Sequence, residues 1–239
     1  MRLDKLLANM GFGTRKTVKT VLKSKEVTVN GTIEKEGKTQ VDPDKDVIVV
    51  SGEAVHYQEF VYFMMHKPQG VVSATTDNLH ETVIDLLQPQ DQVLDPFPVG
   101  RLDKDTEGLL LLTNDGTLAH NLLSPKKHVD KCYEAIIEGL VNEQDIQAFK
   151  DGITLNDGFI CQSAQLEIVS TDSEKKQTLI KVTIHEGKFH QVKRMFEAVG
   201  KSVSYLKRLS MGKLQLDETV KIGKYRPLTK EELESLIDA

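Results

Sequence analysis

The chain has 239 residues, 39% hydrophobic, 28% charged and 5% aromatic, with a formal net charge of −5. That length suits one large core, or a large domain beside a small one, and no stretch approaches the roughly 18 apolar residues of a membrane span. The two cysteines, Cys132 and Cys161, stand far apart with no histidine at ligand spacing, which argues against a disulfide framework and a zinc site.

In MRLDKLLANMGFG, Leu3, Leu6, Leu7 and Met10 fall at i, i+3, i+4, i+7, the stripe of an amphipathic helix rather than the apolar centre of a signal peptide. A cytoplasmic protein with no membrane partner is therefore expected. Gly11 and Gly13 end the helix, and Thr14 is placed to cap a second one, with Val18, Val21 and Leu22 inward and Arg15, Lys16, Lys19 and Lys23 outward. EVTVNGTIEKEG reads as a hairpin turned at Asn30-Gly31, and DVIVV closes the unit near Val50. SGEAVHYQE reads as a linker. Residues 1–55 thus form a small helix–helix–hairpin domain, better suited to docking nucleic acid than to catalysis.

A second domain is expected over residues 60–239. Strands are predicted in VYFMMHKPQGVVSAT, KCYEAIIEG, QLEIVS, QTLIKVTIHEG and SVSYLKRLSMGKLQL. Helical patterns fall around 81–88, 117–123, 143–150 and 190–199, without a regular βαβα rhythm. The fold class is α+β with a mixed, mostly antiparallel sheet. Near the end, Thr229 and Glu232 have the spacing of a capping box, with Leu233 and Leu236 inward.

Charge is unevenly spread. Residues 1–25 carry seven Lys and Arg against the single acid Asp4, and residues 186–208 carry six against Glu186 and Glu197. Two basic runs on an acidic protein suggest a polyanion held at chosen surfaces, although a solvated charged face gives the same pattern.

The stretch GRLDKDTEGLLLLTNDG, residues 100–116, sets Asp103, Asp105 and Glu107 at alternate positions between Arg101 and four leucines. It resembles the front half of a calcium loop, but the twelfth position, where a bidentate glutamate belongs, is Asn114. No metal is expected. The leucine run must be buried, so the loop is anchored directly on the core, and a carboxylate on so rigid a support is pre-organised to act.

This stretch resembles the catalytic motif of the RsuA-type RNA pseudouridine synthases. KPQGVVS (67–73) is similar to that branch's first motif and EGKFHQVKRMFEAVGKSV (186–203) to its third. KYRPLTKEE also matches, and the N-terminal unit resembles the αL RNA-binding domain that this branch carries. The resemblance spans the chain in order and implies conversion of a uridine in RNA to its carbon-linked isomer, without cofactor or metal.

By motif position, Asp103 is then the essential aspartate. Its carboxylate can attack sugar or base, or can assist cleavage and remove a sugar proton. Tyr133, on one strand face with Ala135 and Ile137, would stack under the uracil and take the ring proton after rejoining. Lys193 would orient Asp103, as a point charge where many relatives have arginine. Arg101 would contact phosphate or fill the gap left by the flipped base. Lys67, Gln191, Arg194 and Arg208 are RNA-contact candidates, Leu209 a packing partner of the uracil, and His190 either faces RNA or is structural. Arg15, Lys16, Lys19 and Lys23 would supply salt-sensitive affinity.

Within the branch, HQVKRMF and YFMMHKPQG look closest to members acting on small-subunit ribosomal RNA. The expected partner is that RNA in an assembly intermediate, bound by a monomer. The alternatives are a synthase for large-subunit RNA and a non-catalytic assembly factor. A metal-dependent nuclease and a glycoside hydrolase are further readings, the latter lacking an evident second carboxylate.

Overall fold

The computed structural model of the chain describes residues 1–124 and 127–237. Two units emerge, one of residues 1–61 with 88–96 and the other of residues 62–87 with the rest of the described chain.

The first unit contains α1 (Leu3–Asn9) and α2 (Val18–Lys23), then strands β1 (Val27–Val29), β2 (Thr32–Ile33), β3 (Ile48–Val50) and β4 (Glu53–Ala54) in the order β2-β1-β3-β4. Leu3, Leu6 and Leu7 are fully buried against Val18, Leu22, Val27 and Ile48, as their helical spacing requires. Asn30 and Gly31 take φ of 51° and 80°, the left-handed conformations of a two-residue hairpin turn. Thr14 acts one turn earlier than expected. Its hydroxyl accepts from Thr17 N and its carbonyl from Val18 N, forming the turn that leads into α2. The stretch read as a linker instead begins with β4, which folds back antiparallel on β3.

The short α3 (Pro89–Gln92) also belongs to this unit. The helix expected over 81–88 is a run of turns. Thr82 and Asp85 do exchange bonds like a helix start, Thr82 N to the carboxylate at 2.8 Å and Asp85 N to the hydroxyl at 3.3 Å. Pro89, however, drives Gln88 to the extended conformation, ψ 147°, and stops propagation.

The second unit is built from β5 (Tyr62–Lys67), β6 (Phe97–Pro98), β7 (Glu107–Thr113), α4 (Gly116–Leu123), β8 (Lys131–Glu138), α5 (Glu143–Asp151), β9 (Gln165–Asp172) and β10 (Gln177–Ile184). It continues with α6 (Gln191–Ala198), β11 (Ser202–Met211), β12 (Leu214–Gln215), β13 (Tyr225–Pro227) and α7 (Lys230–Ile237). The strands form one sheet, β13-β5-β7-β11-β8-β10-β9, with β6 on β7 and β12 on β11. Every pairing is antiparallel except the short β7–β11 contact, so the α+β class with a mostly antiparallel sheet holds.

Leu109, Leu110, Leu111 and Leu112 are all fully buried, because β7 is central and both sheet faces are covered. Leu109 and Leu111 join Met64, Leu118 and Leu122 in one core cluster. Asp115 caps α4 through Thr117 N and Leu118 N, and Asn142 with Asp145 forms a capping box on α5. Thr229 and Glu232 make the box expected before α7. No helix among the described residues is long and apolar enough to cross a membrane.

Candidate active site

The acidic loop lies immediately before β7, where that strand meets β11 in parallel with Gly108 opposite Arg208. Gly108 has φ 110°, and a Cβ there would stand 2.3 Å from the Arg208 carbonyl oxygen, so only glycine permits this approach. The loop is fixed through its backbone. Lys67 Nζ donates to the carbonyls of Pro68 at 2.9 Å, Asp103 at 3.1 Å and Thr106 at 2.8 Å. Ser73 Oγ bonds both polar backbone groups of Leu102, and Gly70 N donates to Lys104 O at 2.7 Å. Four loop positions are therefore held while the Asp103 side chain stays partly exposed.

Lys193, projecting from α6, places Nζ 3.4 Å from Asp103 Oδ2 and 2.6 Å from Asp105 Oδ1. Its hydrogen bond holds the Asp105 carboxyl below the usual carboxylate range. Asp105 is thus the tighter partner of Lys193, and Asp103, although less exposed, is held more loosely by it. His190, at the start of α6 in a left-handed conformation (φ 50°), brings Nε2 to 3.6 Å from Asp103 Oδ1. Glu107 points elsewhere and accepts from the Tyr205 hydroxyl, whose phenol is pushed up mainly by burial. The three alternating acids do not converge. Among the described residues, no group of three or more His, Cys, Asp or Glu is arranged to hold a metal.

Beside Asp103 is a small recess lined by Tyr133, Leu206, Ile184, Thr106 and Val192. Tyr133 is inward-facing and 8% exposed, and Ala135 and Ile137 share its buried face. The recess opens toward a cleft of about 1110 Å³ lined by Arg101, Lys104, Lys188 and Phe189, among others. Arg101 is exposed at this cleft.

Several expected RNA contacts are structural instead. Lys67 is fully buried, its ammonium bonded to two loop carbonyls and to that of Pro68, and burial pushes it down to about 8. Arg208 is 2% exposed and donates Nε to Leu109 O at 2.8 Å inside the sheet. Gln191 is buried, its amide donating to Glu186 Oε2 and accepting from Lys188 N. Arg194 pairs with Asp157 and reaches the Phe189 carbonyl at 3.4 Å. Leu209 does not line the recess; Leu206 does, because it opposes Ala135 on the face that Tyr133 shares.

In the first unit, Lys16, Lys19 and Lys23 are exposed. Arg15 is half-exposed but bonds the buried Asp4 at 3.2 Å, alongside Arg2 at 2.6 Å, and these pairs hold the Asp4 carboxyl below its ordinary range. Sequence reasoning left the roles of Asp105 and His190 open and passed over Phe189 and Leu206. The signal for Asp105 was its even spacing from Asp103, and for Phe189 its position in the basic third motif.

A family model described as RNA pseudouridylate synthase matches residues 61–198, and an S4 domain model matches residues 1–48. An RNA pseudouridine synthase of Bacillus subtilis (strain 168), itself termed uncharacterized, is 54% identical over 99% of this chain and 98% of its own. The ribosomal small subunit pseudouridine synthase A of Yersinia pestis is 38% identical over 99% and 98%. The ribosomal large subunit pseudouridine synthase B of Bacillus subtilis (strain 168) is 39% identical over 98% and 95%. A crystal structure of a pseudouridylate synthase superposes with a TM-score of 0.68 at 36% identity, covering 99% of both chains.

Proposed function

Since this chain belongs to the RNA pseudouridylate synthase family, and so is a pseudouridine synthase acting on RNA, we propose that it isomerises one uridine of small-subunit ribosomal RNA with Asp103 as the reacting carboxylate. The observation that carries the assignment of Asp103 is its setting. It is the acid of the loop that is fixed through the backbone, loosely matched by Lys193, and placed beside a recess floored by Tyr133.

The target uridine leaves its stack and enters from the cleft, at a cost of a few kcal/mol that is lower in loops and open RNA. Asp103 meets the nucleotide where the N1–C1′ bond breaks. The freed uracil turns against Tyr133 and Leu206, and C1′ rejoins at C5. The C5 proton passes to the Tyr133 oxygen as that hydroxyl gives up its own, and one proton returns to N1, so none is gained or lost and the product is an isomer of the substrate. Lys193 balances the charge of two carboxylates from one point. At 3.4 Å it steadies Asp103 without the bidentate clamp an arginine would apply.

The small-subunit reading rests on HQVKRMF and YFMMHKPQG, the stretches that resemble members acting on small-subunit ribosomal RNA. The exposed lysines of the first unit supply affinity without sequence information. Mapping pseudouridine in total RNA from cells with and without this gene tests the assignment. One small-subunit uridine should lose modification on deletion, regain it with the wild-type gene, and stay unmodified with Asp103→Asn. Unchanged small-subunit RNA in the deletion overturns it.

A further inference from the structure

Phe189 is an apolar residue set at the lip of a catalytic cleft and left 68% exposed. Its ring is not loose. It stacks on His190 with centroids 3.7 Å apart and planes at 19°, and His190 Nε2 in turn lies 3.6 Å from Asp103. The backbone beneath is braced. Gln191 bonds Lys188 N and the Glu186 carboxylate, and Arg194 donates to the Phe189 carbonyl. The fold thus holds a flat aromatic face rigidly in water, one residue from a group at the reacting carboxylate.

The surroundings say what covers that face. Arg101, Lys104 and Lys188 line the same cleft, interspersed with Asp77, Asp103 and Asp105, so phosphates have cations to meet on a site whose RNA must also approach the reacting carboxylate. Base flipping also strips the target's neighbour of a stacking partner, and an aromatic ring replaces such a partner for any base. We propose that Phe189, backed by His190, is a stacking platform for the unpaired nucleobase adjacent to the target uridine, so that the enzyme binds at least two bases. This rests on the reading of the cleft as the site where RNA meets Asp103.

The test uses the full chain and the RNA segment containing whichever uridine the wild type isomerises, with 2-aminopurine placed in turn on each side of it. Wild type and Phe189→Tyr should quench one of the two probes. Phe189→Leu should not, and should raise KM about tenfold with kcat little changed. An abasic nucleotide at the quenched position should erase the difference between wild type and Phe189→Leu. Equal quenching by Phe189→Leu, or a KM defect that persists undiminished on the abasic RNA, overturns the platform. A large-subunit target would overturn the RNA assignment alone, because the probes follow the mapped uridine.

Discussion

The basic run of the first unit and the one spanning α6 and β11 look alike as sequence, seven Lys and Arg in residues 1–25 and six in residues 186–208. The fold treats them differently. In the first, Lys16, Lys19 and Lys23 remain exposed, and only Arg2 and Arg15 are drawn to the buried Asp4. In the second, Lys193 holds two loop carboxylates, Arg194 pairs with Asp157, Lys201 with Asp145, and Arg208 bonds a carbonyl inside the sheet. The difference lies in what the folded neighbourhood offers. Acids far away in sequence fold against the second run, whereas among the described residues none pairs with the lysines of the outer face of α2. The first run is therefore free to attract a polyanion, whereas the second, apart from Lys188 at the cleft, mostly positions parts.

Experiments can break this division. Asp103→Asn should reduce isomerisation at least about a thousandfold while RNA affinity stays within about threefold, since the carboxylate reacts rather than binds. Single-turnover assays and filter binding on the same transcript check both halves, and measurable turnover removes the assignment. Next in size, Lys67→Met leaves two carbonyls of the loop, Asp103 and Thr106, and that of Pro68 without their donor. We expect a loss on the order of 3 kcal/mol in urea unfolding and a roughly hundredfold lower kcat, because a loop displaced by about 1 Å misaligns Asp103.

That variant also carries a pH signature. Lys67 lies at about 8 when folded against 10.5 for an ordinary lysine, so between those values the unfolded chain holds more protons. Wild-type stability should gain on Lys67→Met as pH rises through that window, and the burial cost should be fully present below it. A pH-independent gap between the two proteins would mean that the ammonium is not desolvated.

Smaller effects separate the two runs directly. Replacing Lys16, Lys19 and Lys23 together by Gln should weaken RNA binding about tenfold at physiological salt and flatten the log K against log salt slope by about 0.7–0.9 per lost phosphate contact. The kcat at saturation should not move. Lys201→Gln should do the reverse, costing about 2 kcal/mol of stability by stranding Asp145 and leaving the salt slope unchanged. A flattened slope in Lys201→Gln would mean that Lys201 too faces RNA.

Local chemistry was legible wherever a short pattern decides the outcome. The Asn30-Gly31 turn, the α1 stripe, the Tyr133 face and the Thr229–Glu232 box each depend on residues within one or two turns of chain. The readings that failed depend on partners distant in sequence. Lys67 resembles a surface cation until β7 closes over it, and Gln191 resembles a donor to RNA until Glu186 takes its amide. Leu206 rather than Leu209 meets the recess because pairing with β8, interrupted by irregularities after Val203 and after Arg208, decides which side chains face it. The 81–88 pattern failed for a local reason that was in plain view, a proline just beyond it.

Residues 88–96 leave the second unit in sequence and complete the first in space. Val93 illustrates this, since its methyl groups occupy the space that a side chain at Gly11 would need. The chain therefore passes between the units three times, not once. A graft that cut only near residue 61 and attached a foreign RNA-binding module would leave nine residues with no host. Exchanging the module intact requires moving two separate pieces of chain together.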